Sequence, residues 1–288
     1  MRKILVPTDF SECANYATEV AASIAKKTGA RLILMHIINI PSYESNMSIQ
    51  DTKDIAEGLF MMKLVKKRFK ELLEKPFLKD VNVIELVEFD NVYESIAKQA
   101  KEQNAGMIVM GSRGSSGAEE VFIGSNTERV IRTAEVPVLT VKSRIENFDI
   151  KDIVFASNFY GESYSVFNKV QELAKIYDAK IHLLKVVTPG NFETTRYSRK
   201  LIEDFVKETK LKNYDYHIYS DEKVANGIYH FCEETNPDII AMETHGWTGL
   251  KHFLLGSITE GVANHSKLPV LSIKIPKEEE DDGVLFPD

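Results

Sequence analysis

The chain has 288 residues, 43% hydrophobic and 27% charged, a globular composition long enough for one large domain or two of ordinary size. The net charge is −7, and the closing PKEEEDDGVLFPD sets one Lys against six acids, so the rest carries only about −2. That balance argues against a nucleic-acid partner, two cysteines outside any ligand spacing argue against a disulfide or zinc framework, and no apolar run approaches eighteen residues, so no membrane span is expected.

The opening MRKILVPTDF reads as a short strand at 3–6 stopped by Pro7, too brief for a secretory signal, so a reducing, cytoplasmic setting is the expectation. Ser11 is a good N-cap for a helix whose buried stripe is Ala14, Ala17, Ala21 and Ile24, and Gly29 suits its left-handed end. A strand follows at 31–37, then the polar PSYESNMSIQDTKD and a long amphipathic helix. Further strands are predicted near 82–88, 106–110 and 138–142. All are rich in Val, Ile and Leu with little alternation, as in parallel sheets covered on both faces. Strands separated by helices imply crossovers and a doubly wound α/β domain.

After SRIENFD (143–149), a candidate linker, the pattern starts again. KILVPTDFSE pairs with DIVFASNFYG, and RLILMHII with KIHLLKVV, both at an offset of 149. AGMIVMGSRG pairs with PDIIAMETHG, GSNTERV with GSITEGV, and VPVLTVK with LPVLSIK, all at 132, so the second copy is 17 residues shorter. The stripe of the first helix recurs as Val166, Val170, Leu173 and Ile176. A repeat of this length is a tandem duplication. The expected organisation is one domain at 1–143, a second at 149–276 and an acidic tail at 277–288, each domain with a five-stranded, mostly parallel sheet.

The stretch MGSRGSSGAEEVFIGSNT (110–127) leaves a predicted strand and enters a helix expected to begin near Asn126. Ligands of doubly wound sheets bind beyond the carboxyl ends of strands. Gly111, Gly114 and Gly117 are expected to let the backbone approach a ligand or adopt positive φ. Gly124 and Ser125, at a helix N-terminus, would favour phosphate oxygens. Neither GxxxxGK[ST] nor a GxGxxG after the first strand is present. Composition alone therefore supports a flexible surface loop as well as an anion site. Asp9, taken alone, reads as a brace for the turn before Ser11.

The spacing G-x2-G-x9-G-[ST], formed by Gly111, Gly114, Gly124 and Ser125, resembles the ATP-binding signature of the universal stress protein family. ILVPTDFS resembles that family's first strand and ribose-contacting Asp, and VPVLTV its last strand. The likeness runs nearly end to end, twice. It implies two tandem domains of the adenine nucleotide α-hydrolase-like fold, with ATP as ligand. Asp9 would contact the ribose hydroxyls, Pro7 and Thr8 shape the turn, and Ile37 and Ile38 touch adenine. Met110 and Gly111 would floor the pocket, Arg113 and Gly114 line the phosphates, and Gly124, Ser125 and Asn126 hold them. Magnesium would accompany the nucleotide, although no carboxylate cage is evident. Beside that motif, ligand contact becomes the favoured role for Asp9. The closing strands of family members often mediate dimers, which implies an internal pseudo-dimer here and admits a homodimer.

The second copy departs from the pattern. Asn158 stands for Asp9, and Glu243 for Gly111, adding charge beside the phosphate position unless its side chain turns away. Gly246, Gly256 and Ser257 persist, with Met242 and His245 beside them, as a weaker second site. The first copy is therefore expected to bind ATP, and the second to bind poorly or to bind something else. His36 and His182 read as packed or hydrogen-bonded histidines in strands. His245, His252 and His265 lack ligand spacing, so no metal site is expected. Three functions compete: a nucleotide-dependent regulatory or binding module in stress response, a slow ATPase or adenylyl/phosphoryl-transfer enzyme, and a nucleotide-free scaffold. Arg113, Glu119 and Glu120 form no catalytic constellation, so at most weak hydrolysis is expected. An adenine nucleotide and a protein partner of unknown identity are the expected partners.

Overall fold

The structure, a computed structural model, describes residues 1–38, 52–113, 124–161, 163–244, 262 and 266–275, with the backbone alone for 52–57. Gly114, Gly117, Glu119, Glu120, His245, Gly246, His252, Gly256, Ser257, His265 and the acidic tail lie outside the described residues.

The first half runs β1 (Lys3–Pro7), α1 (Glu12–Thr28), β2 (Arg31–Ile38), α2 (Thr52–Leu73), β3 (Val83–Phe89), α3 (Val92–Glu102), β4 (Met107–Gly111), α4 (Ser125–Thr133) and β5 (Val138–Val141). The second half repeats it with β6 (Asp152–Ala156), α5 (Ser163–Tyr177), β7 (Lys180–Val187), α6 (Thr195–Thr209), β8 (Tyr214–Ser220), α7 (Val224–Thr235), β9 (Ile239–Thr244) and β10 (Val270–Lys274). The capping signals act as read. Ser11 Oγ accepts from the Ala14 amide, and Gly29 closes α1 at φ 70°. In the crowded left-handed region a Cβ at Gly29 would be strained.

The two expected five-stranded sheets are joined into one ten-stranded sheet of order β3-β2-β1-β4-β5-β10-β9-β6-β7-β8. Every neighbouring pair within a half is parallel, whereas β5 and β10 pair antiparallel, with Leu139 opposite Leu271 and Val138 opposite Ser272. Thr140 Oγ1 donates to the Val270 carbonyl at 3.2 Å, and Lys274 Nζ donates to the Thr133 carbonyl at the end of α4. A cation at a helix C-terminus also complements the dipole. The closing strands are thus buried at the centre and not left as edges.

Alternation along each strand divides the core into two layers. Ile4 and Val6 join a cluster spanning both halves, with Ala17 and Ile24 of α1, Phe69 of α2, Phe167 of α5 and Phe205 of α6. Leu5 points the other way, to Ile96 of α3 and Val130 of α4, and Val154 likewise to Ile228 and Phe231 of α7. The 143–149 segment is docked on α1: Ser23 Oγ donates to the Phe148 carbonyl, and Phe148 and the adjoining Ile150 enter the shared core.

The shared strand pair and shared core layer predict coupled unfolding of the halves. Leu271→Ala should cost about 2–5 kcal/mol and lower a single melting transition. Separate transitions in calorimetry, with only one of them shifted, would contradict this.

Candidate functional site

Both halves open on the same turn. In the first, the Phe10 amide donates to Thr8 Oγ1 and the Ser11 amide to Asp9 Oδ1, each at 3.0 Å. In the second, the Phe159 amide donates to Ser157 Oγ at 2.9 Å and the Tyr160 amide to Asn158 Oδ1 at 3.0 Å. Phe10 and Phe159 both sit at positive φ, 63° and 62°. The side-chain bonds hold a backbone conformation that a bulky residue rarely adopts. Asp9 therefore does brace its turn. A carboxylate accepts several hydrogen bonds, so this leaves a ligand role compatible.

The strand order reverses between β1 and β4, which places their carboxyl ends at a switch point. A cavity of about 370 Å³ opens there. Its size falls in the range of small-molecule sites, about 300–1,000 Å³. Ten of the sequence-predicted residues line it: Pro7, Thr8, Asp9, Ile37, Met110, Gly111, Arg113, Gly124, Ser125 and Asn126. Ile38 does not. Adjacent residues of a strand face opposite ways, and Ile38 joins the α1/α2 core layer.

Ala14, His36, Val92, Ile96 and Thr127 also line the cavity and were not singled out from sequence for this role. Val92 and Ile96 are an i, i+4 pair on α3, an apolar spacing that could have pointed to a shared face. His36 Nδ1 lies 2.8 Å from the Thr8 carbonyl, so the neutral ring donates there. His36 is thus hydrogen-bonded as expected, and at the cavity wall. Its repeat partner Lys185 is also a polar residue inside an apolar strand, and that coincidence was the available clue.

The glycines act differently from expectation. Among the described glycines only Gly29 has positive φ. Gly111 is extended, and a Cβ there would lie 3.0 Å from the Cys13 backbone carbon and from its Sγ. Close approach of α1, and not a left-handed turn, is what demands glycine. Gly124 is the N-cap of α4 at φ −63°, its amide donating to the Ser112 carbonyl, and the helix starts one residue earlier than expected, at Ser125. Thr127 Oγ1 donates to the Gly111 carbonyl at 3.1 Å and ties the start of α4 to the end of β4. At a helix start the leading amides have no partner within the helix. Nearby, burial and then the charge of Arg113 push the Lys142 ammonium down. Two cations thus converge at the carboxyl ends of β4 and β5, a field that suits an anion.

The profile of the Universal stress protein family matches residues 1–142 and again 149–274. The chain belongs to the universal stress protein family. Universal stress protein Slr1230 of Synechocystis is 21% identical over 298 residues, covering 95% of this chain and all of that protein. Universal stress protein MJ0531 of Methanocaldococcus jannaschii is 32% identical over 149 residues, 49% of this chain and 82% of its own length. The crystal structure of a universal stress protein from Archaeoglobus fulgidus superposes with a TM-score of 0.70 at 22% identity, covering 95% of this chain and 96% of that one. It shows the same fold across both halves.

At the equivalent end of the second universal stress protein half, two charged side chains are held among the described residues. Glu243, buried, accepts at Oε1 from Ser157 Oγ (3.1 Å) and Ser163 Oγ (3.0 Å). Its side chain turns toward the start of α5. Met242 packs in the α7 core layer. Lys185 Nζ donates to the Asn158 carbonyl at 2.9 Å and pairs with Glu193 Oε2 at 3.2 Å. Tyr160 and Ser198 hydroxyls also donate to Glu193. Burial pushes the Lys185 ammonium down, with Glu193 opposing it. Burial works against the Glu193 carboxylate, yet bonds from Tyr160 and Lys185 hold it below its usual range. The Tyr160 phenol is pushed up to about 12 by its bond to Glu193 and by burial.

Glu193→Gln would strand a buried ammonium, so it should destabilise the chain by about 3–5 kcal/mol, read by urea denaturation. The lowered Glu193 pKa adds stability above its unfolded value, near 4.5, that is lost as pH falls through the folded value. The variant's deficit should therefore shrink on acidification below that point. A deficit constant down to strongly acid pH would count against this network.

Proposed function

We propose that this universal stress protein binds one adenine nucleotide, ATP, in its first half and works as a nucleotide-dependent binding or regulatory module. The observation that carries the reading is the cavity at the β1/β4 switch point, with Asp9 on one side and Arg113 and the start of α4 on the other. Asp9 accepts from the ribose hydroxyls, with charge-assisted bonds stronger than those to a neutral acceptor. Ile37, Val92 and Ile96 give the apolar wall that a base needs. Arg113, the amides and side chains of Ser125 and Asn126, and the backbone at Gly124 meet the phosphates. Magnesium would accompany the nucleotide, with Asp9 the one carboxylate among the described lining residues.

The second half is read as the weaker binder or as a structural copy. Asn158 carries no charge, and its carbonyl is engaged by Lys185. Glu243 stands where the first half has Gly111, and its carboxylate is taken up by Ser157 and Ser163. Domain limits of 1–143 and 149–276 accord with the two family matches, and the β5–β10 ladder supports an internal pseudo-dimer.

Isothermal titration of the full chain with magnesium and ATP should give about one site per chain. Asp9→Ala should weaken it at least tenfold, about 1.4 kcal/mol, and Asn158→Ala should leave it unchanged. Two equal sites, or greater sensitivity to Asn158→Ala, would refute the assignment. Because Asp9 also braces its turn, Asp9→Asn is the control: it keeps the acceptor, as Asn158 does naturally, and should bind with intermediate strength.

A further inference from the structure

The amino ends of β6, β7 and β8 hold a cluster whose chemistry differs from that of the cavity at the carboxyl ends of β1 and β4. His182 on β7 and His217 on β8 face each other with Nδ1 and Nε2 at 3.3 Å. One ligand atom from each of His182, His217 and Asp215 falls within 4.8 Å of the others. A tetrahedral zinc ion with zinc–nitrogen bonds of about 2.0–2.1 Å spaces two imidazole nitrogens about 3.3–3.4 Å apart. The observed separation is the edge of that tetrahedron.

The surroundings orient the rings as metal ligands require. His182 Nε2 lies 2.8 Å from Asp152 Oδ1 on β6. A neutral His182 donates there, which leaves a lone pair on Nδ1, the atom turned to His217. A carboxylate behind a histidine in this way fixes tautomer and ring orientation in metal sites. His217 rests on the Phe231 ring of α7 at 4.7 Å. With both rings neutral, Asp152 and Asp215 outweigh Lys180, which pairs with Asp215. The cluster thus retains negative charge for a cation to offset.

We propose that His182 Nδ1, His217 Nε2 and the Asp215 carboxylate bind a divalent transition ion of the zinc class. Water takes the fourth position, and Asp152 is the positioning residue behind His182. Two imidazoles with one carboxylate favour zinc over magnesium or calcium, which prefer all-oxygen sets. Lys180 must yield part of its hold on Asp215, which keeps the affinity moderate. Without metal, the same geometry is a hydrogen bond from His217 Nε2 to His182 Nδ1, and binding separates the two states.

The test uses the full chain stripped with a chelator and dialysed against zinc chloride, with cobalt(II) as a spectroscopic substitute. About one zinc per chain should bind at micromolar concentration, and cobalt should give the intense visible bands of a tetrahedral site. His182→Gln and His217→Gln should each weaken zinc at least tenfold and abolish the cobalt bands. Asp9→Ala should leave both readouts unchanged. Circular dichroism first confirms that each variant is folded. Should one glutamine variant fail that check, the other and Asp215→Asn carry the decision. No zinc binding up to about 100 μM, or undiminished binding by the folded variants, would overturn the proposal, the latter placing the ion elsewhere in the chain.

Discussion

The antiparallel pairing of β5 with β10 is the constraint on which the rest of the molecule depends. Each half, by itself, ends its parallel sheet on a short, largely apolar strand with an unpaired row of amides and carbonyls. Such an edge invites association with whatever strand is nearest. Joining the two edges satisfies both, buries Leu139 against Leu271, and makes a single core layer from α1 across to α6. It also places the carboxyl ends of both sets of parallel strands within one ten-stranded sheet. The Lys274 bond to the end of α4 links the second half to the helix whose start borders the first half's cavity.

Within that frame, duplication has conserved backbone and changed chemistry. The turn after β1 and the turn after β6 use the same two side-chain-to-amide bonds and the same strained phenylalanine. What stands behind the turns differs. Gly111 admits α1 so closely that a Cβ would crowd Cys13 at 3.0 Å, and His36 lines the cavity wall. Glu243 and Lys185 instead draw hydroxyls, a carbonyl and Glu193 into buried networks. Buried charges persist only when paired, so a half that keeps Lys185 must also keep Glu193. A cavity thus opens at the switch point of the first half, while Glu243 Oε1 and Lys185 of the second are engaged by neighbouring side chains and backbone.

Much of this was legible in advance, for physical reasons. Strand limits came within a residue because the inner strands β1, β2, β4 and β5 are nearly continuous apolar runs, whereas β3, expected to be covered on both faces, lies at the sheet edge and is half exposed. Ser11 and Gly29 marked α1 because helix ends must satisfy or terminate their free groups. Ten site residues met in one cavity because they flank the carboxyl ends of adjacent strands. Ile38 failed because its side chain enters the core layer under α1 and α2 and does not reach the cavity. His36 was missed because a single polar residue on an apolar strand carries no spacing signal, and Thr127 because it is one of several polar residues in the first turn of α4.

The sequence by itself determined the duplication, the α/β class, the order of elements and the difference between Asp9 and Asn158. These depend on local periodicity and on residue identity. Only the tertiary structure decided that the two sheets become one, that Gly111 answers to Cys13, that Glu243 turns to Ser157 and Ser163, and that His182 meets His217. Each of these is a contact between residues far apart in the chain. Strand register and helix docking set the distances between them, and no local pattern encodes those distances.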